Sequence, residues 1–151
     1  MVGFLDHEDA SLRDEASESL QELGPAAAQA VDKLHQMLTM DPKSYVQQSV
    51  AYALGAIGAP AAVAADDLAA KLASEDEYDR SSAIAALTHI PWSSESAWNK
   101  ILAYRDQQMA EGSLNVDQFI EVLGGYAGDF ANVQPLFDEY LNSEARESPS
   151  P

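Results

Sequence analysis

The chain has 151 residues, 46% hydrophobic and 8% aromatic, which is enough apolar material for one hydrophobic core but not for two. Its 25 acidic and 8 basic residues give a formal charge of −17. That charge argues against nucleic acids and anionic membrane surfaces as partners, because both attract positive protein surfaces. Cysteine is absent, which excludes disulfides, thiol catalysis and cysteine metal sites.

The first ten residues, MVGFLDHEDA, contain neither a basic region nor a long apolar stretch. A secretory signal peptide has both features. Nowhere does an apolar run reach the length that crosses a bilayer. We therefore expect a cytoplasmic protein that does not enter a membrane.

A repeated stretch predicts the first helices. Residues 16–27 read ASESLQELGPAA, and residues 50–61 read VAYALGAIGAPA, 34 positions later. In both copies the apolar residues recur at intervals of four, four and three, which is the spacing of one helix face. The aligned positions are Leu12, Ala16, Leu20, Leu23 and Gly24 in the first copy, and Val46, Val50, Leu54, Ile57 and Gly58 in the second.

Each copy predicts two helices joined by a tight turn. Gly24 and Gly58 stand where a helix ends and a positive φ is needed. Pro25 and Pro60 prevent the helix from continuing. A second apolar series then follows, comprising Ala27, Val31, Leu34 and Leu38 in the first copy and Ala61, Ala65, Leu68 and Leu72 in the second.

Charged connectors with helix caps separate the units, which we place at residues 9–41 and 42–75. Asp9 is expected to cap the first helix. Asp41 followed by Pro42 is expected to start the second unit, since aspartate favours the N-cap and proline the first helical position.

A third unit, residues 76–108, is fainter. Asp79 replaces the apolar residue that Leu12 and Val46 provide in the earlier copies. Its second helix is expected to begin at Ser93 or Ser94, either of which is a good N-cap. A fourth, degenerate unit is expected at residues 114–142, and the polar, proline-rich residues 143–151 are predicted to be disordered.

At this point the chain resembles HEAT repeats. The resemblance rests on the turns LQELGPA and LGAIGAP and on a preceding D-x-x-(L/V)-(R/Q) pattern. It is strongest to the bacterial HEAT-like subgroup also found in phycobilisome bilin lyases. The resemblance implies an all-α fold, a right-handed α-solenoid of about four antiparallel helix pairs forming one domain over residues 1–142.

Catalytic and metal-binding patterns are not evident. The histidines His7, His35 and His89 have no second histidine at metal-ligand spacing. His35 follows Asp32 by three residues, which predicts a helix-surface pair. We therefore expect no metal, no cofactor and no catalytic residue.

The second helices of an array of pairs form one curved face. The exposed positions expected there are polar and of mixed charge, which suits a protein or peptide better than an apolar cofactor. They are Gln29, Asp32, Lys33, Gln36, Asp66, Asp67, Ala70, Lys71, Asn99 and Lys100. The favoured function is a non-catalytic protein-interaction module or assembly scaffold. The alternative, implied only by the resemblance, is a bilin lyase subunit or chromophore chaperone.

Three aromatic residues have a predicted position. The periodicity places Tyr52 on the outward side of its helix, as a candidate contact for a partner. Trp92 follows Pro91, and either packs onto the next helix or stands exposed as an interface anchor. Trp98 aligns with Ala65 and is predicted to pack in the core.

Acidic residues crowd the first unit. Asp14, Glu15, Glu18 and Glu22 form a cluster that either docks a basic partner or simply keeps an alanine-rich protein soluble. A solenoid end also exposes apolar flanks unless a cap covers them. We expect the N-terminal end to associate with a second copy, end to end, or to receive another protein's terminal repeat.

Overall fold

The computed structural model describes residues 2–128 and positions 131, 134, 135 and 138. Within this part of the chain the fold is all-α, as predicted. Its α-helices are α1 (Ala10–Leu23), α2 (Val31–Met40), α3 (Ser44–Ile57), α4 (Ala65–Lys71), α5 (Glu77–Leu87), α6 (Glu95–Glu111) and α7 (Val116–Gly124). Three 3-10 helices accompany them at Val2–Asp6, Gly24–Ala30 and Ala59–Ala64.

The helices stack in two layers and form an α-solenoid. The first helices of the pairs follow one another, with α1 packed on α3, α3 on α5 and α5 on α7. The second helices lie behind them, α2 against α3 and α4 against both α5 and α6. Each pair therefore buries its apolar stripe against the next pair, as in repeat proteins generally.

Glycine ends the first helix of the first two pairs, which confirms the prediction. Gly24 and Gly58 have φ values of 55° and 77°, in the region that side chains with a Cβ avoid. The predicted tight turn is instead a 3-10 helix of seven or six residues that leads directly into α2 or α4. Pro25 and Pro60 occupy the beginning of these 3-10 helices, where no amide donor is needed.

The predicted caps are confirmed at two positions and wrong at one. The side chains of Asp9 and Ser94 accept hydrogen bonds from the first turns of α1 and α6. Asp41 does not cap α3, which begins at Ser44 after Lys43. Instead Asp41 ends α2, where its backbone N–H donates to the carbonyl of Met37 and its carboxylate accepts from Arg13 and from the backbone N–H of Lys43.

The repeat alignment predicts the core correctly. Leu20, Leu54 and Leu87 are equivalent in the three units and are all buried. Trp98 is half-buried at the edge of the core, whereas its neighbour Ala97 is fully enclosed. The predicted core position therefore falls one residue earlier than the alignment with Ala65 indicated.

The end of α7 is fastened to the connection between α5 and α6. Trp92 donates its backbone N–H to the carbonyl of Gly125 at 2.9 Å, and Ala127 donates to the carbonyl of Trp92 at 2.8 Å. Of the predicted fourth unit, the structure describes α7 and, within the expected second helix, only the helical positions 134, 135 and 138. The tail at residues 143–151 lies outside the described residues.

Candidate functional site

The predicted binding residues on the second helices are unevenly accessible. We call the side of the solenoid formed by α2, α4 and α6 the second-helix face. Gln29, Asp32, Gln36, Ala70 and Asn99 are exposed there, while half-buried positions are occupied by Lys33, Asp66, Asp67, Lys71 and Lys100. The structure therefore places all of these residues on or beside one face.

The half-buried members join neighbouring elements. Asp66 accepts a hydrogen bond from Ser94 at 2.6 Å, and its carbonyl accepts from Lys100 at 3.2 Å. Lys71 donates to the side chain of Gln47 at 2.6 Å. Lys33 forms an ion pair with Asp6, which belongs to the N-terminal 3-10 helix. These side chains join neighbouring helices within and between units, so they are less available to a partner than the sequence suggested.

His35 also belongs to this set of inter-repeat contacts. The expectation of a pair with Asp32 on the same helix is wrong. The Nε2 atom of His35 lies 2.6 Å from Oδ2 of Asp67, which is on α4. Because Asp67 is 32 residues away in the chain, helix spacing within one element could not indicate this contact.

An apolar groove open to solvent lies on the second-helix face between α4 and α6, and the sequence pattern did not predict it. Its volume is about 300 Å³. Alanines leave it open, because Ala70, Ala73 and Ala103 are exposed and have no side chain beyond Cβ. The residues that line it are Ala69, Ala70, Leu72, Ala73, Lys100, Ala103, Tyr104 and Gln107.

Tyr104 connects this groove to a second, polar cleft of about 440 Å³. Burial raises the pKa of the Tyr104 phenol above its usual value, so the hydroxyl stays protonated at neutral pH. The cleft lies between α5, α6 and the start of α7, and its charged lining residues are Glu77, Arg80 and Glu111. An apolar groove thus runs into a cleft with a negative excess.

The last position of the D-x-x-(L/V)-(R/Q) pattern has a structural role. Arg13 donates to the carbonyls of His7 and Glu8 at 2.8 and 3.0 Å. Arg80 does the same for Ser74 and Glu75 at 2.8 and 2.9 Å. In the second unit, Gln47 donates to the carbonyl of Asp41 at 2.6 Å. Each side chain therefore holds the connector that precedes its own helix.

Arg13 and Asp41 add an ion pair between α1 and the end of α2, with 2.7 and 3.0 Å hydrogen bonds. Burial alone would raise the pKa of Asp41. The hydrogen bonds from Arg13 and from the backbone of Lys43 outweigh that effect, so the pKa of Asp41 lies below its ordinary value. The same contact raises the pKa of Arg13, which stays charged.

The acidic cluster of the first unit is only partly exposed. Glu15, Glu18 and Glu22 are exposed on α1. Asp14 was predicted to belong to the exposed patch, but it is half-buried. Its Oδ1 atom is enclosed without a hydrogen-bond partner among the described residues. The accessible acidic surface therefore consists of the three glutamates.

Of the two remaining candidate contact residues, Tyr52 is exposed and Trp92 is buried. Tyr52 is 40% exposed on α3, in the outward position that the periodicity predicted. Trp92 is 2% exposed, so its interpretation as an exposed interface anchor is wrong. It packs against Trp98 and Tyr126, with ring centroids 5.9 and 5.0 Å away, and its indole N–H donates to the carbonyl of Val122.

The described residues contain no group of three or more His, Cys, Asp or Glu side chains placed to hold a metal ion. None of their helices combines the length and apolar character needed to span a membrane.

Comparison with known proteins gives one family. The family model described as HEAT repeats matches residues 2–89, more than half of the chain, and this segment runs from the N-terminal 3-10 helix to just beyond α5. A comparison with the curated proteins gives no match for this chain.

Proposed function

Because this chain belongs to the HEAT-repeat family, we propose that it is a non-catalytic protein-interaction scaffold whose partner binds on the second-helix face. HEAT repeats commonly serve as scaffolds for other proteins. The observation that carries the proposal for this chain is the apolar groove between α4 and α6, which is open to solvent and lined by short side chains.

The groove defines the chemistry of the partner. An apolar side chain inserted between Ala70 and Ala103 removes apolar surface from water on both sides. Lys100 and Gln107 line the same groove and offer polar contacts. With a formal charge of −17 on the chain, a neutral or basic partner is favoured over an acidic one. The ligand that fits is a protein segment with an apolar anchor and basic flanks.

Site-specific photo-crosslinking tests this proposal. A benzoylphenylalanine placed at Ala103 lies in the groove, whereas one at Ala110 lies on the same helix outside it. Both positions are exposed alanines, so the pair is matched. We expect a defined crosslinked protein with the probe at Ala103, lost when Ala73→Arg fills the groove. Equal crosslinking at both positions, or none at Ala103, would contradict the proposal.

The alternative implied by the resemblance, a bilin lyase subunit or chromophore chaperone, has a separate test. No observation on the described residues favours it. Adding phycocyanobilin to the purified chain should leave the visible absorbance of the pigment unchanged. A red-shifted, intensified band would show pigment binding and would replace the scaffold proposal.

A further inference from the structure

The outer side of α1 carries an apolar stripe that is incompletely covered. We define this outer flank as Leu12, Ala16, Ser19 and Leu23, which recur at helical spacing. Phe4 of the N-terminal 3-10 helix lies beside it, and a groove of about 240 Å³ is bordered by Phe4 and by Leu12, Ala16 and Ser19 of the flank. Leu23 is 50% exposed and Phe4 is 53% exposed.

The second unit contains the same stripe, but there another helix covers it. The equivalent residues on α3, 34 positions later, are Val46, Val50, Ala53 and Ile57, all of them buried. Ile57 is 1% exposed, in contrast to Leu23. The same sequence pattern is therefore fully enclosed on α3 but only partly covered on α1, where Leu12 and Ser19 are half-buried and Leu23 is exposed.

The element that encloses the stripe on α3 is α1. Helix α3 lies between α1 and α5. Its side toward α5 is marked by Gln48, which donates to Asp79, and by Gly55, where a Cβ would meet Ala86. The buried stripe of α3 lies about half a turn away from these residues, and therefore faces α1.

The covering helices show what kind of surface fits the stripe. On α1 the residues turned toward α3 are centred on Ser17, and on α3 those turned toward α5 are centred on Ala51. Both are fully buried. Small residues at the centre of the contact let two helix backbones approach closely. A helix that covers the outer flank of α1 needs the same feature.

Charge narrows the choice of occupant. Glu15 lines the groove of the outer flank, and Glu18 and Glu22 are exposed on the same helix. A second copy of the chain that docked through its own α1 would bring the same carboxylates into the contact, and this repulsion strengthens as water is excluded. Lysine or arginine on the incoming helix would instead be attracted.

We propose that the outer flank of α1 docks an amphipathic helix of another protein, with small residues on its contact side and lysine or arginine beside them. The α1–α3 contact within the chain is the template for this interface. The surface is separate from the groove between α4 and α6, so the inference does not rest on the proposed function.

A stapled helical peptide with the sequence of residues 44–57 provides the probe, because it presents Gln48, Ala51 and Gly55 as α3 does. Tyr45 and Tyr52, which are exposed on α3, are replaced by lysine in one version and by glutamate in the other. The peptides are titrated into the isotopically labelled full chain, and amide chemical shifts are followed by NMR.

We expect the lysine peptide to bind, with shifts concentrated on the outer flank, and the glutamate peptide to bind at least about tenfold more weakly. Ser19→Arg, which fills the flank, should weaken binding of the lysine peptide by about tenfold or more. Ser96→Arg changes the net charge equally at an exposed site on α6 and should leave binding unchanged.

Three results would overturn the inference. The first is no binding of the lysine peptide at millimolar concentration while the folded chain gives a dispersed spectrum. The second is equal binding of the two peptides. The third is self-association of the chain without peptide, abolished by Ser19→Arg, which would identify a second copy as the occupant.

Discussion

Single side chains determine how tightly the two helices of one unit are held together. The ion pair of Arg13 and Asp41 is the most buried of those among the described residues, with side chains 11% and 3% exposed. Removing one partner of a buried pair leaves the other charge uncompensated. This contact joins α1 to the end of α2, so its loss affects the whole first unit.

Asp41→Asn should lower the free energy of unfolding by about 3 kcal/mol near neutral pH. Because the pKa of Asp41 is lowered in the folded state, its stabilisation is complete above the unfolded pKa of about 3.9 and is lost as the pH falls through the folded pKa. The difference between the variant and the natural chain should therefore shrink in acid. Urea unfolding followed by circular dichroism at several pH values measures it.

Asp106→Asn is the matched control, since Asp106 forms its pair with Arg105 while largely exposed. It should change the free energy of unfolding by less than about 1 kcal/mol. An equal effect of the two substitutions would mean that burial of the Arg13–Asp41 pair has no energetic consequence.

Asp14 is a residue whose replacement should stabilise the chain. Its Oδ1 atom is enclosed without a hydrogen-bond partner among the described residues. The equivalent residue in the next unit, Gln48, donates to Asp79 at 2.9 Å. In the first unit Asp14 takes the place of Gln48, and the residue equivalent to Asp79 is Val46. The side chain of Val46 has no polar atom that could pair with Asp14.

Asp14→Ala should raise the free energy of unfolding by about 1 kcal/mol, because it removes an unsatisfied buried oxygen. Thermal and urea unfolding measure the change. Asp106→Ala, in the middle of α6, shows how much of the change in unfolding free energy comes from the higher helix propensity of alanine alone. A gain no larger than that of Asp106→Ala would show that the oxygen of Asp14 is satisfied in solution.

At the scale of helices, one glycine sets the distance between α3 and α5. A Cβ built on Gly55 would lie 2.8 Å from the Cα of Ala86, a backbone atom that cannot move independently of its helix. Gly55→Ala should therefore separate the two helices and destabilise the chain by about 1–3 kcal/mol, although alanine normally favours a helix.

Gly124→Ala is the control for this prediction. Gly124 ends α7, and a Cβ there would meet nothing within 4 Å. Unfolding experiments should show a small gain or no change for Gly124→Ala and a clear loss for Gly55→Ala. Stabilisation by both substitutions would contradict the close approach of α3 and α5.

For the molecule as a whole, local sequence predicted the pairs and not the contacts between them. The 34-residue repeat gave the helix ends at Gly24 and Gly58 and the burial of Leu54, because these depend on residues within one unit. Asp41 was misassigned since its partner Arg13 lies 28 residues earlier, and His35 was misassigned since its partner Asp67 lies in the next unit. Contacts of this kind depend on how helices pack, which a local pattern does not contain.

The candidate site was predicted less well than the fold for the same reason. The residues of the second-helix face were all predicted to be exposed, but half of them are half-buried. Two of these, Asp66 and Asp67, contact neighbouring units. The groove between α4 and α6 was not predicted because it is formed by short side chains, the alanines of two different helices. Ala70 was among the positions expected to be exposed, but an exposed alanine was not interpreted as one wall of a groove.

Binding of the crosslinked partner to groove variants tests the central claim most directly. Isothermal titration calorimetry compares the natural chain with Ala73→Arg, which fills the groove between α4 and α6, and Ala110→Arg, which adds the same charge outside it. We predict that Ala73→Arg weakens binding by at least about tenfold, or 1.4 kcal/mol, and that Ala110→Arg has no effect. Equal affinity of all three proteins would contradict a binding site on the second-helix face.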